Sequence, residues 1–386
     1  MGIDRPTDRR RLVTGLIRGL AAGTLVAMTL GGCAVLGIAR PAPTGPHSSA
    51  PAPSPTAAVD RVRFTDAPNR SGMPDCAAVL PSGLSARLVP SIAPDDPVTE
   101  QRHIDPATMA SVAAGGLVCN VDNGVAAMDS VYPGQHGDPV RNGIVATVLP
   151  DANDALDAFL SSDTWTGSPV SCSASDAARV SCSADVHAGS AWLHIALDRV
   201  QDADDATPGG LQDRFRALVT HATATVQDSA LGTVTVAHEQ GSPGPSVCVT
   251  TRVDAVTDTP LRDRWNATDW QDDISWVSLE RAGGEWCDFH RADEQDSTAV
   301  AARYGTLPQG SWVVRARIDA GLVDADDRID LDGLGAHDAA FRTCDDTLCT
   351  VDVVHDGDWT RYLLEKSVAP DTSAAVEAWA RSSFGQ

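Results

Sequence analysis

The sequence predicts an α+β protein: two tandem, related domains, each an antiparallel sheet backed by helices and stapled by disulfides. Three observations carry that expectation. Short stretches alternate apolar and polar residues, are bounded by turn signals, and give way to helical spacing. Eight cysteines follow Cys33 in two sets of four: 76, 119, 172, 182 and 248, 287, 344, 349. One ungapped pattern of Cys, Asp, Val, Trp and Leu occurs in both halves.

The chain opens on Arg9, Arg10, Arg11 and Arg18, then runs apolar from Gly19 to Leu30-Gly31-Gly32-Cys33. A basic segment, a short apolar segment and small residues before a cut mark an export signal. Leu30 to Cys33 resembles the lipobox of bacterial lipoproteins. The resemblance implies a signal segment over 1–32, cleavage before Cys33 and a diacylglyceryl thioether on that cysteine. The apolar run continues through Ala34–Ala39 to Arg40, so 19–39 also reads as an uncleaved transmembrane anchor, for which about 20 residues suffice. Both readings place residues 40 onward on the outer face of the cell membrane. Arg9 to Leu12 loosely resembles a twin-arginine signal without its usual flanks.

Residues 33–70 read as a tether. Pro41, Pro43, Pro46, Pro51, Pro53 and Pro55 alternate with Ala and Ser, a composition that extends and cannot bury a core. The chain has 29 basic and 52 acidic residues, with Lys366 as its one lysine, the usage of a GC-rich, actinobacterial coding sequence. Before Cys33 stand five Arg and two Asp, so the exported part holds 24 basic and 50 acidic residues, a net charge of −26. That balance argues against a nucleic-acid partner, which needs a basic face. It also argues against electrostatic adhesion to anionic lipid.

Cys182 and Cys349 anchor the repeat. Asp185 and Asp352 follow three residues on, Val186 and Val353 four, Trp192 and Trp359 ten, Leu197 and Leu364 fifteen. Asp198-Arg199 then matches Glu365-Lys366. The domains are set at 71–232 and 233–386. Exported cysteines in even number oxidise to disulfides. Pairing within each copy gives Cys76–Cys119, Cys172–Cys182, Cys248–Cys287 and Cys344–Cys349. A bridge closing tens of residues stabilises by about 3–4 kcal/mol, the short loops by less.

The elements follow in order. Leu117–Val121 and Ile144–Leu149 read as strands, and Asp151–Leu160 as a helix opened by acids. Val180–His187 and Ala191–Val200 form a hairpin around Ala188-Gly189, followed by an amphipathic helix over Gly210–Asp228 with Leu211, Phe215, Leu218 and Val219 inward. Val247–Val256, Ile274–Leu279 and Trp312–Ile318 read as strands. Cys349–Val354 and Trp359–Leu364 flank Asp356-Gly357, a hairpin turn signal. Ser373–Ser383 reads as a closing helix with Val376 and Trp379 inward.

Asp75-Cys76-Ala77-Ala78-Val79-Leu80 with Gly116-Leu117-Val118-Cys119 resembles small α/β domains of actinobacterial lipoproteins and sensor-kinase ectodomains. The resemblance implies a Cys-bearing first helix tied to a following strand, and a binding or sensing role in the envelope. The second copy departs from it, because Cys248 sits in a Val/Thr-rich stretch that reads as strand.

Chemistry is sparse. The chain lacks a Gly-x-Ser-x-Gly elbow, a His-Glu-x-x-His pair, a phosphate-binding Gly-rich loop with Lys, and a Ser-x-x-Lys motif. Asp324, Asp326, Asp330 and Asp332, with Asp327 among them, are the candidate Ca²⁺ ligands, since hard oxygens at alternate positions suit that ion. The EF-hand pattern fails there: Ile329 takes the Gly position and Gly335 the Glu position. His355, Asp356 and Asp358 beside Trp359 form a second polar group, and the first copy offers His187 and His194 nearby. Trp265, Trp270, Trp276, Trp286 and Trp312 crowd the second copy, as core or as a stacking surface. The sequence therefore points to a lipid-anchored, non-enzymatic binding or sensing lipoprotein, with no catalytic residues and no cofactor. Its partners are the membrane, through the anchor, and an envelope component or protein. The alternatives are an envelope hydrolase assembled only in the fold and a Ca²⁺-dependent adhesion module.

Overall fold

The computed structural model describes residues 61–89, 93–95, 98, 104, 106–123, 142–162, 169–174, 179–200, 210–231, 252–265, 273–292 and 300–384. Cys33, the signal or anchor segment, Cys248 and Trp270 lie outside them. Among the described residues no helix is long and apolar enough to cross a membrane.

The elements in the first half are α1 (Cys76–Val79), α2 (Ser82–Ser85), β1 (Ala93–Asp95), α3 (Pro106–Ala113), β2 (Leu117–Asp122), β3 (Gly143–Leu149), α4 (Asn153–Ser161), β4 (Val170–Ala174), β5 (Arg179–Ala188), β6 (Ala191–Val200) and α5 (Gly210–Gln227). The second half holds β7 (Leu261–Trp265), α6 (Ile274–Ala282), β8 (Glu285–Arg291), β9 (Ala302–Leu307), α7 (Ser311–Asp319), β10 (Arg328–Ile329), β11 (Ala339–Cys344), β12 (Leu348–His355), β13 (Asp358–Glu365) and α8 (Thr372–Ser383). Both sheets are antiparallel. One runs β1-β2-β3-β6-β5-β4 and the other β10-β11-β12-β13-β9-β8-β7. Set side by side, β2, β3, β6, β5 and β4 correspond in order and direction to β8, β9, β13, β12 and β11. The fold is α+β and duplicated, and both sheets belong to one compact unit, Pro53–Gln386.

The correspondence reaches single residues. Cys172 opposes Cys182 and Cys344 opposes Cys349 across neighbouring strands, and both pairs are disulfides. Cys182 opposes Leu197, as Cys349 opposes Leu364. A third disulfide ties α1 to β2 through Cys76–Cys119. Cys287 is also disulfide-bonded, to a partner outside the described residues. Leu149-Pro150-Asp151 leads from β3 to α4 with Asp151 at φ 49°, and Leu307-Pro308-Gln309 leads from β9 to α7 with Gln309 at φ 54°.

Period-2 alternation sets the layers. In β12, Cys349, Val351 and Val353 pack under Val376 and Trp379 of α8. In β5, Cys182 and Ala184 pack with β6 residues Leu193, Ile195 and Leu197 under Phe215, Leu218 and Val219 of α5. The opposite faces are covered too. Met109 and Ala110 of α3 join Val313 and Val314 of α7 against Phe341, Val354 and Trp359 of the second sheet. Ile274 of α6 joins Leu156 of α4 against Leu149 and Trp192 of the first. Thus α3, from the first half, covers the second sheet, while α6, from the second half, covers the first. The two helices meet at Ser111 and Ser278, whose hydroxyls are 2.8 Å apart. Gly115-Gly116 and Gly283-Gly284 follow these helices, each pair three residues before a half-cystine. A Cβ on Gly116 would stand 2.2 Å from the Val148 carbonyl oxygen, and one on Gly284 2.8 Å from that of Thr306.

Two expected strands are helices. Ile274–Leu279 lies in α6, because the Asp273 side chain caps Ser275 N–H and Gly283 closes the helix in a left-handed conformation. Buried Ile274, Ser278 and Leu279 share one helical face. Trp312–Ile318 lies in α7, where Trp312, Val313, Val314 and Arg317 are buried and Arg315 pairs with Asp319 one turn on. Both are short apolar runs whose period does not separate strand from helix, so the caps of α6 and the tertiary partners of both decide. Within the expected strand Val247–Val256, Val253–Ala255 is a 3-10 turn after Arg252 at φ 48°. Val247–Thr251 lies outside the described residues.

Candidate functional site

The repeated Asp and Trp form the same buried hydrogen bond twice. Trp192 Nε1 donates to Asp185 Oδ1 at 2.9 Å, and Trp359 Nε1 donates to Asp352 Oδ1 at 2.8 Å. Asp352 and both tryptophans are fully buried, and Asp185 nearly so. Each carboxylate is shared with a cationic or ionisable residue two positions after its Trp. In the first copy this is His194, with Nδ1 2.8 Å from Asp185 Oδ1. In the second it is Arg361, with Nε 3.3 Å from Asp352 Oδ1. A buried carboxylate needs such partners, because desolvation otherwise costs several kcal/mol.

The two sites differ electrostatically. Burial works to lower the pKa of His194, but the hydrogen bond and charge of Asp185, with the charge of Asp273, outweigh it, and the net direction is upward. Arg361 is permanently charged. Its Nη1 donates to the Ile104 carbonyl, ahead of α3, and its Nη2 donates to Thr350 Oγ1 at 3.4 Å. Arg317 of α7 is buried in the same charge cluster. Burial and then the Arg361 charge push it down to about 9, with Asp352 pulling the other way.

Arg361 also lines a cavity of about 210 Å³ at the Cys344–Cys349 end of the second sheet. Exposed Gly321 and Cys344 stand at its opening, and buried Leu348, Thr350 and Arg361 at its floor, with Thr343, Asp345 and Leu322 between. The Thr343 hydroxyl is buried with no hydrogen-bond partner. Asp345 Oδ1 accepts from Thr347 and Leu348 N–H and so holds the β11–β12 turn. The guanidinium and the Thr343 hydroxyl offer donors for an anionic or polar group beside an apolar wall of Leu322 and Leu348, while the Thr350 hydroxyl is engaged with the Thr343 carbonyl.

The other candidates are placed differently. Asp324, Asp326, Asp330 and Asp332 are all exposed, and Asp324 Oδ1 accepts from Asp326 N–H in a local turn. Among the described residues no three of them fall within one ligand sphere, whereas Asp338, His355 and Asp356 do. His355 Nδ1 is 2.9 Å from Asp338 Oδ2, and its Nε2 is 3.7 Å from Asp356 Oδ2. Burial tends to raise Asp338, but N–H groups of Gly335 and Asp356 and the His355 ring hold it below the usual carboxylate range. Asp358 is committed to Gln309 N–H at 2.8 Å. His187 is exposed and lies 3.0 Å from both Asn153 and Asp157. Trp276, Trp286 and Trp312 pack in the layer between the sheets rather than forming a surface, and Arg303 lies over the Trp286 ring. Trp265 sits in edge strand β7.

Sequence reasoning passed over Asp338, Thr343, Arg317 and Arg361. The signal for Arg361 was present: it stands at the position His194 holds in the repeat. Asp338 carried no signal, since it reaches His355 from the loop ahead of β11.

No protein-family model matches the chain, and no curated protein does. Among solved structures, the di-domain ARO/CYC BexL from the BE-7585A biosynthetic pathway aligns over 83% of this chain and 91% of its own, at 12% identity and a TM-score of 0.11. That likeness is too low to carry a functional argument.

Proposed function

We propose that the chain is a lipid-anchored, non-enzymatic binding or sensing module on the outer face of a bacterial cell membrane. The sequence around Cys33 supplies the anchor, and the Pro-rich tether holds the folded part away from the bilayer. The observation that carries the binding role is the cavity whose lining includes buried Arg361 and the unpartnered Thr343 hydroxyl. Two tests separate anchor from function. Metabolic labelling with an alkyne fatty acid should mark the wild-type protein and not Cys33→Ala. An unlabelled wild-type chain that remains membrane-bound would point to the transmembrane anchor instead. A thermal screen of the full-length protein in detergent should then find a ligand that raises the unfolding midpoint by mass action. The convergence of Asp338, His355 and Asp356 favours a second reading, a cation-dependent module. A rise with Zn²⁺ or Ca²⁺ that is lost in His355→Ala would select it.

A further inference from the structure

We infer that the cavity above Arg361 is a binding site for a small monocarboxylate. The inference rests on the binding role proposed above and names the ligand class for that site.

A guanidinium carries five N–H donors in a rigid fork. Two of those on Arg361 meet a protein acceptor, the Ile104 carbonyl and Thr350 Oγ1, and the buried Nε, 3.3 Å from Asp352 Oδ1, makes no hydrogen bond. Arg361 is 2% exposed yet lines a void. The remaining donors therefore face either that void or protein. A planar carboxylate is the anion whose two oxygens match neighbouring guanidinium N–H groups. The Thr343 hydroxyl, buried without a partner, is a further donor on the same lining. Leu322 and Leu348 supply an apolar wall for a short alkyl group. Charge narrows the class. The volume of about 210 Å³ leaves ample room for a carboxylate with a few carbons. Asp345 on the same lining repels anions in proportion to their charge, so a singly charged carboxylate is opposed less than phosphate or a dicarboxylate.

The test is a binding titration of the full-length protein in detergent, followed by thermal midpoint and by NMR line positions of the ligand. The probes are acetate, propionate and butyrate, with succinate, inorganic phosphate and glycine as comparators. A saturable response to propionate or butyrate is expected, with succinate and phosphate weaker. Thr343→Val keeps the side-chain shape, removes the hydroxyl, and should weaken binding about tenfold. Arg361→Lys should abolish it while retaining the charge. A response to phosphate, or to a neutral ligand, that Thr343→Val removes would overturn the carboxylate assignment and leave the binding role standing. No saturable response to any ligand class at this cavity would overturn both, and a response untouched by Thr343→Val would place the ligand elsewhere.

Discussion

Asp352→Ala should be among the most costly single changes in the molecule. Asp352 is fully buried and holds two groups at once, Trp359 Nε1 at 2.8 Å and Arg361 Nε at 3.3 Å. Removing one member of a buried ion pair costs about 3–5 kcal/mol, because the remaining charge is left uncompensated. An orphaned buried N–H adds about 1–3 kcal/mol. Both losses come from one carboxylate and are not additive, so about 4 kcal/mol is expected. Against a total of about 5–15 kcal/mol for a folded domain, that is a large share. The first copy provides the internal control. Asp185→Ala orphans Trp192 Nε1, but His194 can release its proton and keeps 26% side-chain exposure. Its loss should be about 2 kcal/mol, the cost of the unpaired N–H. The assay is urea unfolding of the full-length protein, comparing midpoints at a common m value. The double variant Asp352→Ala/Arg361→Met should recover part of the loss, since an apolar replacement of a buried pair is often neutral. Equal losses for Asp352→Ala and Asp185→Ala would refute the argument that a permanent charge distinguishes the two sites.

Two further expectations follow from the same duplication. Gly116→Ala places a Cβ against two backbone oxygens, 2.2 Å from Val148 O and 2.7 Å from Ser111 O, which cannot yield without moving β3 or α3. It should cost about 3 kcal/mol or more. Gly284→Ala, 2.8 Å from both Thr306 O and the Leu279 side chain, should cost less, about 1–2 kcal/mol, read as a smaller fall in thermal midpoint. The second expectation concerns pH. The His194 pKa is raised in the folded state above its ordinary 6.5. Its contribution to stability is therefore complete below that value and is lost as pH rises through the folded pKa. Unfolding midpoints measured from slightly acidic to alkaline pH should fall across that window, and Asp185→Asn should flatten the fall. An unchanged slope in Asp185→Asn would assign the pH dependence to another group.

The parts of the fold legible in the sequence are those where a rare residue marks a periodic stretch. Cys182 and Trp192, with Cys349 and Trp359, fix the register of two hairpins because each lies on an alternating strand whose partner follows at once. α6 and α7 were not legible. Ile274–Leu279 and Trp312–Ile318 are apolar in both periods; the Asp273 cap and the Gly283 terminator make the first a helix, and for the second the core it packs into decides. The crossing of α3 and α6 between the halves was hidden for the same reason, although Gly115-Gly116 and Gly283-Gly284 before their cysteines are a readable trace of it. The site shows where such reading stops. Aligning Cys182 with Cys349 displays the paired Asp and Trp, yet not that the two side chains bond, since that depends on facing strands. What the copies kept is a buried carboxylate held by an indole. What they changed is its second partner, a titratable imidazole in one and a fixed guanidinium in the other. The cavity lies on the copy whose carboxylate is paired with the fixed guanidinium, since Arg361 is part of its lining.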